Sequence, residues 1–342
     1  MRYRTFGRSG LRVSEMFLGT MTFGTEWGWG ASVEECRELF AAYAEAGGNV
    51  IDTANAYTDG ASERIVGELL GAGRDRFVVA TKYTMTTDGT DPNASGNHRK
   101  SLRGSLERSL DRLRTDHIDL LWVHIWDPDT PVEEMMRALD DAVRAGKVLY
   151  IGISDTPAWV VSRANALADW HGWSPFIGLQ LPYSLVQRDI ERELLPMAGA
   201  LGLSVAAWSP LAGGVLSGKF TRSAPDGPTR VNPGDISERD RRIAAEVDAV
   251  AGELGVSSSQ VALAWVMARR PHVHPIIGAR RLDQLAGNLA ALQLSLPDEA
   301  ARRLDEVSAI ELGFPLDSIE STRSIFYGAV SERTDRRPPI TG

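Results

Sequence analysis

The chain has 342 residues, is 43% hydrophobic and carries a formal net charge of −8, which gives it length for a large core and no basic surplus to hold a nucleic acid. Met1 to Gly7 is polar and turn-rich and no apolar run reaches the length of a membrane span, so a cytoplasmic protein with no membrane partner is expected. The single cysteine, Cys36, excludes an internal disulfide and reads as packing or plain helix surface.

In chain order, a first strand is predicted at about Glu15 to Gly19, followed by a helix over Ser32 to Ala46. Val50-Ile51 reads as the second strand. Ser62 to Leu70 then places Ile65, Val66, Leu69 and Leu70 on one helical face. Phe77 to Ala80 and Asp119 to Val123 are short runs rich in β-branched or aromatic residues, as strands buried on both faces should be. Between them Leu102, Leu106, Leu110 and Leu113 repeat with helical spacing. The alternation continues with strands at Val148 to Ile153, Ile177 to Leu181, Ser204 to Trp208 and Val273 to Ile277. Helices are predicted among them at Pro131 to Ala145, Ala158 to Trp170, Asp189 to Leu201, Arg241 to Leu254 and Arg281 to Leu292.

Eight strand-helix units predict a closed (β/α)₈ barrel, a TIM barrel, as one domain over residues 1–342. The competing architecture, two open nucleotide-binding halves, needs a Gly-x-Gly-x-x-Gly turn between a strand and its helix. Gly71-Ala72-Gly73-Arg74 follows a helix instead, and Gly28-Trp29-Gly30-Ala31-Ser32-Val33 ends in a β-branched residue where a small one is needed. The loop Ser209 to Arg239, rich in Gly, Pro and Asp, has the length of a lid or binding loop.

Asp52, Lys82 and His124 close the second, third and fourth strands, and Tyr57 lies in the loop after the second. In such barrels the strand C-termini face one mouth, where active sites gather. A carboxylate, a phenol, an amine and an imidazole there suit the delivery of a proton to a carbonyl. Lowering a phenol from a pKa near ~10 by two to three units takes roughly 3–4 kcal/mol. One ammonium about 4 Å away, at an effective dielectric near 20, supplies on the order of 4 kcal/mol. Lys82 is therefore expected to bring Tyr57 down, with Asp52 keeping the lysine charged and placed and His124 hydrogen-bonding the substrate oxygen. Any one of the four alone is explained by a turn, a cap or a solvated strand end; the set is not.

The chain resembles the aldo-keto reductases over nearly its whole length. The residues that carry this are Gly19-Thr20, Asp52 with Tyr57, Gly60-Ala61-Ser62-Glu63, Thr81-Lys82, His124, Gly152-Ile153-Ser154-Asp155 and Gln180. They continue with Trp208-Ser209-Pro210-Leu211, Gly218-Lys219 and Ile277-Gly278-Ala279-Arg280 with Gln284 and Asn288. The resemblance implies reduction of aldehydes and ketones with NADPH, and a catalytic set of Asp52, Tyr57, Lys82 and His124. It implies further that Gly19, Thr20, Asp52 and Gly278 border the cofactor, that Ser154 and Gln180 hydrogen-bond the nicotinamide carboxamide, and that Trp208 stacks on its ring. Ser209, Pro210, Leu211 and Lys219 would cradle the pyrophosphate, Arg280 would meet the 2′-phosphate, and Gln284 and Asn288 would reach the adenosine end. How strictly NADPH is preferred over NADH stays open.

Asp155 departs from the asparagine many members of this family place there, and its role is open because a carboxylate cannot donate as an amide can. The family also carries an N-terminal hairpin, for which Tyr3 to Phe6 and Arg12-Val13 around Gly7 to Gly10 are suited. Within the family, Trp208 to Ala212 and Ser217 to Phe220 resemble most the branch that includes potassium-channel β subunits. That resemblance allows a second reading, a cofactor-bound regulatory subunit with little turnover. His124 speaks against it, since the channel subunits carry asparagine there.

Three other features invite readings that fail or stay bland. Gly213 to Phe220 nearly fits a phosphate-binding loop, but Phe220 stands where a Ser or Thr must bind magnesium. His272-x-His274 lacks a third ligand nearby and reads as a strand edge, so no metal is expected. Trp27, Trp29 and Trp126, on loops after the first and fourth strands, are expected to wall a substrate pocket for a small carbonyl compound. The sequence leaves the physiological substrate open, is compatible with a homo-oligomer, and assigns no role to Glu311 to Gly342, where Phe326 and Tyr327 are the residues suited to reach the pocket.

Overall fold

The computed structural model describes residues 1–221, 231–269 and 272–333. The middle of the Ser209 to Arg239 loop and the end of the C-terminal segment lie outside the described residues. The chain begins with an antiparallel hairpin, β1 (Tyr3–Thr5) and β2 (Arg12–Ser14), with Arg4 opposite Val13. There follow β3 (Phe17–Gly19), α1 (Val33–Glu45), β4 (Val50–Asp52), α2 (Ala61–Leu70), β5 (Val78–Tyr83), α3 (Arg99–Leu113), β6 (Ile118–Val123) and α4 (Val132–Arg144). The second half comprises β7 (Val148–Ser154), α5 (Ala158–His171), β8 (Phe176–Pro182), α6 (Leu194–Leu201), β9 (Ser204–Trp208), α7 (Glu238–Leu254), α8 (Ser258–Met267), β10 (Val273–Ile277) and α9 (Leu282–Ala290). After it come α10 (Asp298–Val307), α11 (Leu316–Ser321) and α12 (Arg323–Tyr327).

Eight parallel strands close in the order β10-β3-β4-β5-β6-β7-β8-β9 with helices outside them, which is the (β/α)₈ TIM barrel. The helices start where local chemistry satisfies their free N–H groups. Ser32 and Glu35 form a reciprocal cap on α1, and Ser257 and Gln260 do the same for α8. The α8 segment was not predicted, although Ser257-x-x-Gln260 before an apolar run is the signature of such a start; α10 was missed as well.

Side-chain alternation along parallel strands decides what meets the barrel axis. Val50, Val78, Ala80, Leu120, Trp122, Ala206 and Ile276 form the apolar interior with Phe6 and Phe17. Two residues further along the same faces stand Asp52, Lys82, His124, Trp208 and Gly278. The barrel thus changes from apolar to polar in one layer, at the strand C-termini.

The opposite end is sealed by the hairpin. Phe6 is fully buried, its ring 5.9 Å from Phe17, 6.2 Å edge-on to Trp122 and 5.6 Å from His274. Burial of such a side chain is worth about 1.5–3 kcal/mol. A Cβ on Gly178 would lie 2.3 Å from the Phe6 ring, and one on Gly152 would lie 2.3 Å from the Trp122 ring, so both strands need glycine for this core to form. The prediction of a strand edge for His274 is corrected here. β10 has a neighbour on each side and His274 is enclosed, stacked on Phe17 at 5.0 Å. Among the described residues there is no helix long and apolar enough to cross a membrane.

Candidate active site

Asp52 is the last residue of β4 and pairs in register with Ala80, two residues before Lys82 on the same face of β5. This offset brings the Lys82 ammonium 2.6 Å from Asp52 Oδ2, with both side chains buried. Lys82 Nζ also donates to the Thr53 carbonyl oxygen at 2.7 Å. An ammonium has three donors, and the third is left for the Tyr57 phenol, whose ring centroid lies 4.8 Å away. Gln180 Nε2 donates to the other Asp52 oxygen at 2.8 Å, and Ser154 Oγ donates to the Gln180 carbonyl at 2.7 Å. Residues from β4, β5, β7 and β8 are thereby joined in one chain of hydrogen bonds.

The half-buried Tyr57 and His124 meet edge-to-face with ring centroids 6.0 Å apart. Burial raises the Tyr57 phenol above its ordinary pKa, and the nearby Lys82 charge opposes this without reversing it. That corrects the expected lowering, which counted the ammonium and left out the cost of burying a phenolate. For Lys82 itself burial disfavours the charge, but Asp52 and Tyr57 outweigh it and hold the ammonium above its ordinary pKa. His124 is pulled from 6.5 to about 3 by burial and by the Lys82 charge. Its Nδ1 is buried with no hydrogen-bond partner among the described residues, so the neutral ring is assigned with its proton on Nε2.

His124 in the folded protein titrates near 3 and His274 near 4, both depressed from 6.5 and both chiefly by burial. The unfolded chain takes up protons at these sites that the folded chain refuses, so their contribution is intact above about 6.5 and is lost as pH falls toward the folded values. His124→Asn removes one such site. The stability difference between parent and variant, measured by urea unfolding at pH 7.5 and again at 4.5, should therefore shift in the variant's favour at the lower pH. An unchanged difference would mean that the imidazole is not held neutral.

Above Asp52 and Tyr57 lies a cavity of about 290 Å³ bordered by Gly19, Met21, Thr22, His124, Ser154, Asp155, Gln180, Trp208 and Gly278. A second cavity of about 430 Å³ runs outward along Ser209, Pro210, Leu211, Lys219, Arg280, Gln284 and Asn288. Thr22, Ser209, Ile276 and Gly278 border both, so the two form one continuous groove. Ser209 and Ala212 take left-handed backbone angles (φ 53° and 49°), as do Gly213, Gly214 and Gly218. The N–H groups of Ala212, Gly213 and Gly214 are bonded within this run, to the Ser209 carbonyl, Ser209 Oγ and the Leu211 carbonyl, so the positive charge bordering the groove comes from Lys219 and Arg280. The Arg281 guanidinium pairs with Asp283, whereas that of Arg280 makes no ion pair among the described residues. The groove therefore suits an elongated ligand with an anionic middle and a flat ring at its inner end.

The model of the family described as "Aldo/keto reductase family" matches residues 15–309. The chain belongs to the aldo/keto reductase family. A norsolorinic acid reductase from Aspergillus flavus is 41% identical over 334 residues, covering 93% of this chain and 84% of that protein. An aryl-alcohol dehydrogenase [NADP(+)] from Phanerodontia chrysosporium is 38% identical over 333 residues, covering 90% and 85%. An aldo-keto reductase from Emericella nidulans is 37% identical over 335 residues, covering 92% and 84%. As an aldo/keto reductase the chain is an oxidoreductase. These relatives carry reductase and dehydrogenase names, and the channel-subunit branch finds no support in them.

Most of the residues expected at the site of this aldo/keto reductase border the groove. Thr20 does not. Its hydroxyl is buried against Ser62 Oγ at 2.8 Å and the Asp52 carbonyl at 3.1 Å, so it braces Asp52 from behind while Thr22 borders the groove. Trp27, Trp29 and Trp126 are absent from the borders of both cavities. Trp27 and Trp29 pack on each other at 5.9 Å, and Trp126 packs edge-on against Trp159, a partner the sequence reading passed over. Phe326 and Tyr327 are exposed on α12 and border neither cavity. Residues not predicted include Met21, Thr22, Ser257 and Ser259, the last two brought to the outer groove by the start of α8.

Proposed function

We propose that this aldo/keto reductase reduces aldehydes or ketones to alcohols with NADPH, Tyr57 giving the proton. The observation that carries the reading is Lys82, paired with Asp52 at 2.6 Å and buried beneath Tyr57, at the floor of a cavity continuous with a groove that Lys219 and Arg280 border. When bound, the nicotinamide supplies the hydride. Trp208, Ser154 and Gln180 would hold its ring end, the left-handed run with Lys219 the pyrophosphate, and Arg280, Gln284 and Asn288 the phosphorylated adenosine end.

The chain's own groups do the rest. His124, neutral with its N–H on Nε2, orients the carbonyl oxygen toward Tyr57. The phenol stays protonated at neutral pH until negative charge develops on that oxygen, and the Lys82 ammonium then stabilises the phenolate left behind. Asp52 keeps the lysine charged. The relatives' names put aromatic carbonyl compounds first in any panel. Incubation with NADPH and such a panel, following the absorbance of the reduced cofactor, tests the reading; no loss of absorbance with any member, above the rate without protein, would overturn it.

Cofactor choice gives a separate expectation. A charge-assisted hydrogen bond is worth about 1.5–3 kcal/mol, so Arg280→Ala should weaken NADPH by roughly ten- to over a hundredfold and scarcely touch NADH. Titration of both against tryptophan fluorescence checks it. Equal losses would remove Arg280 from the 2′-phosphate.

A further inference from the structure

Asp155 sits immediately after β7, half-buried, with a left-handed backbone (φ 41°) that aspartate tolerates better than most residues. Its Oδ1 accepts a hydrogen bond from the Trp208 indole N–H at 3.1 Å. It borders the same cavity as Asp52 and Tyr57. The two carboxylates there differ in one respect. Asp52 is neutralised by Lys82 at 2.6 Å, whereas Asp155 has no ion-pair partner among the described residues. Burial raises its carboxyl, and the Trp208 and Ser154 hydrogen bonds and the more distant Lys82 charge only oppose this. With Asp52 paired to Lys82, Asp155 is the carboxyl bordering the inner cavity that lacks an ion-pair partner among the described residues.

We propose that Asp155 is an electrostatic selector between the two oxidation states of the cofactor, its carboxylate stabilising the positive charge that the nicotinamide ring carries when oxidised. The inference rests on the reading that the ring end of NADPH occupies the cavity floored by Tyr57. An indole fixed by a carboxylate gives the ring a face to lie on, and the same carboxylate sets the potential there. A ring more stable when oxidised gives up hydride more readily, so the charge favours carbonyl reduction and holds the spent cofactor more tightly. An asparagine would keep the acceptor for Trp208 and remove the charge.

The test is a pair of dissociation constants, for NADP⁺ and NADPH, measured by fluorescence titration on the intact protein and on variants. Asp155→Asn should weaken NADP⁺ relative to NADPH by roughly tenfold, the size of one screened unit-charge interaction across several ångströms. Asp155→Glu, which keeps the charge, should restore most of the parent ratio. Trp208→Phe, which removes the donor but not the charge, should weaken both forms by a similar factor. Equal losses of NADP⁺ and NADPH in Asp155→Asn would overturn the proposal and reduce Asp155 to an anchor for the indole. If the asparagine variant does not fold, Asp155→Ser gives the same comparison. Failure of the parent to bind either form would instead overturn the reading of the cavity as a nicotinamide site.

Discussion

Tyr57→Phe should lower kcat by about 10²–10⁴, the usual worth of a positioned general acid, and leave affinity for NADPH nearly unchanged. The variant keeps the ring that covers the Lys82 ammonium at 4.8 Å and meets His124 edge-on, so only the hydroxyl is lost. His124 is poorly placed to take over. An imidazole held near 3 is unprotonated at neutral pH, and as a donor it offers a hydrogen bond rather than a proton. Steady-state kinetics alongside cofactor titration would separate the effects. Near-normal turnover by the phenylalanine variant would remove Tyr57 as the acid.

Lys82→Met should abolish activity to a similar degree and destabilise the fold more than Tyr57→Phe, which leaves one Lys82 donor without its phenol partner. Removing one partner of a buried ion pair costs about 3–5 kcal/mol, because the other is left as an uncompensated charge. Here that charge is Asp52, with the Gln180 amide at 2.8 Å as its remaining donor. In the variant the buried Asp52 carboxylate loses its counter-charge, so the folded state favours its protonated form. The contribution of this carboxyl to stability is then present at acid pH and is lost as pH rises and the group ionises. The gap to the parent should narrow as pH is lowered. Adding Asp52→Asn to Lys82→Met should recover part of the lost stability at neutral pH and none of the activity. A double variant no more stable than Lys82→Met alone would mean that the cost arises from packing.

The barrel was legible because each strand is a short β-branched run and each crossover has helical spacing, and because Asp52, Lys82 and His124 lie at the ends of strands that the fold must bring together. What sequence could not weigh was burial. The ammonium next to Tyr57 is visible as a lysine two residues after Ala80, but the desolvation that outweighs it depends on how deeply the loop after β4 sinks the ring. His274 was misplaced for a similar reason, since only closure between β9 and β3 gives β10 two neighbours. Trp27, Trp29 and Trp126 were drawn to the pocket as aromatic residues on loops, yet tryptophans also pair with one another, and Trp159 on α5 was near enough to take Trp126. Ser257 and Ser259 have their signal in the capping sequence Ser257-x-x-Gln260 that starts α8.

The Phe6 plug also bears on proton traffic in the proposed reduction. Phe6, Phe17, Trp122 and His274 pack the far end of the barrel, and Lys82 is fully buried. A proton given away by Tyr57 in that reduction would then return through the mouth by which carbonyl and alcohol would pass. Until the alcohol left, Lys82 would hold the phenolate beneath it. Departure of the product and recovery of the acid would thus share one doorway.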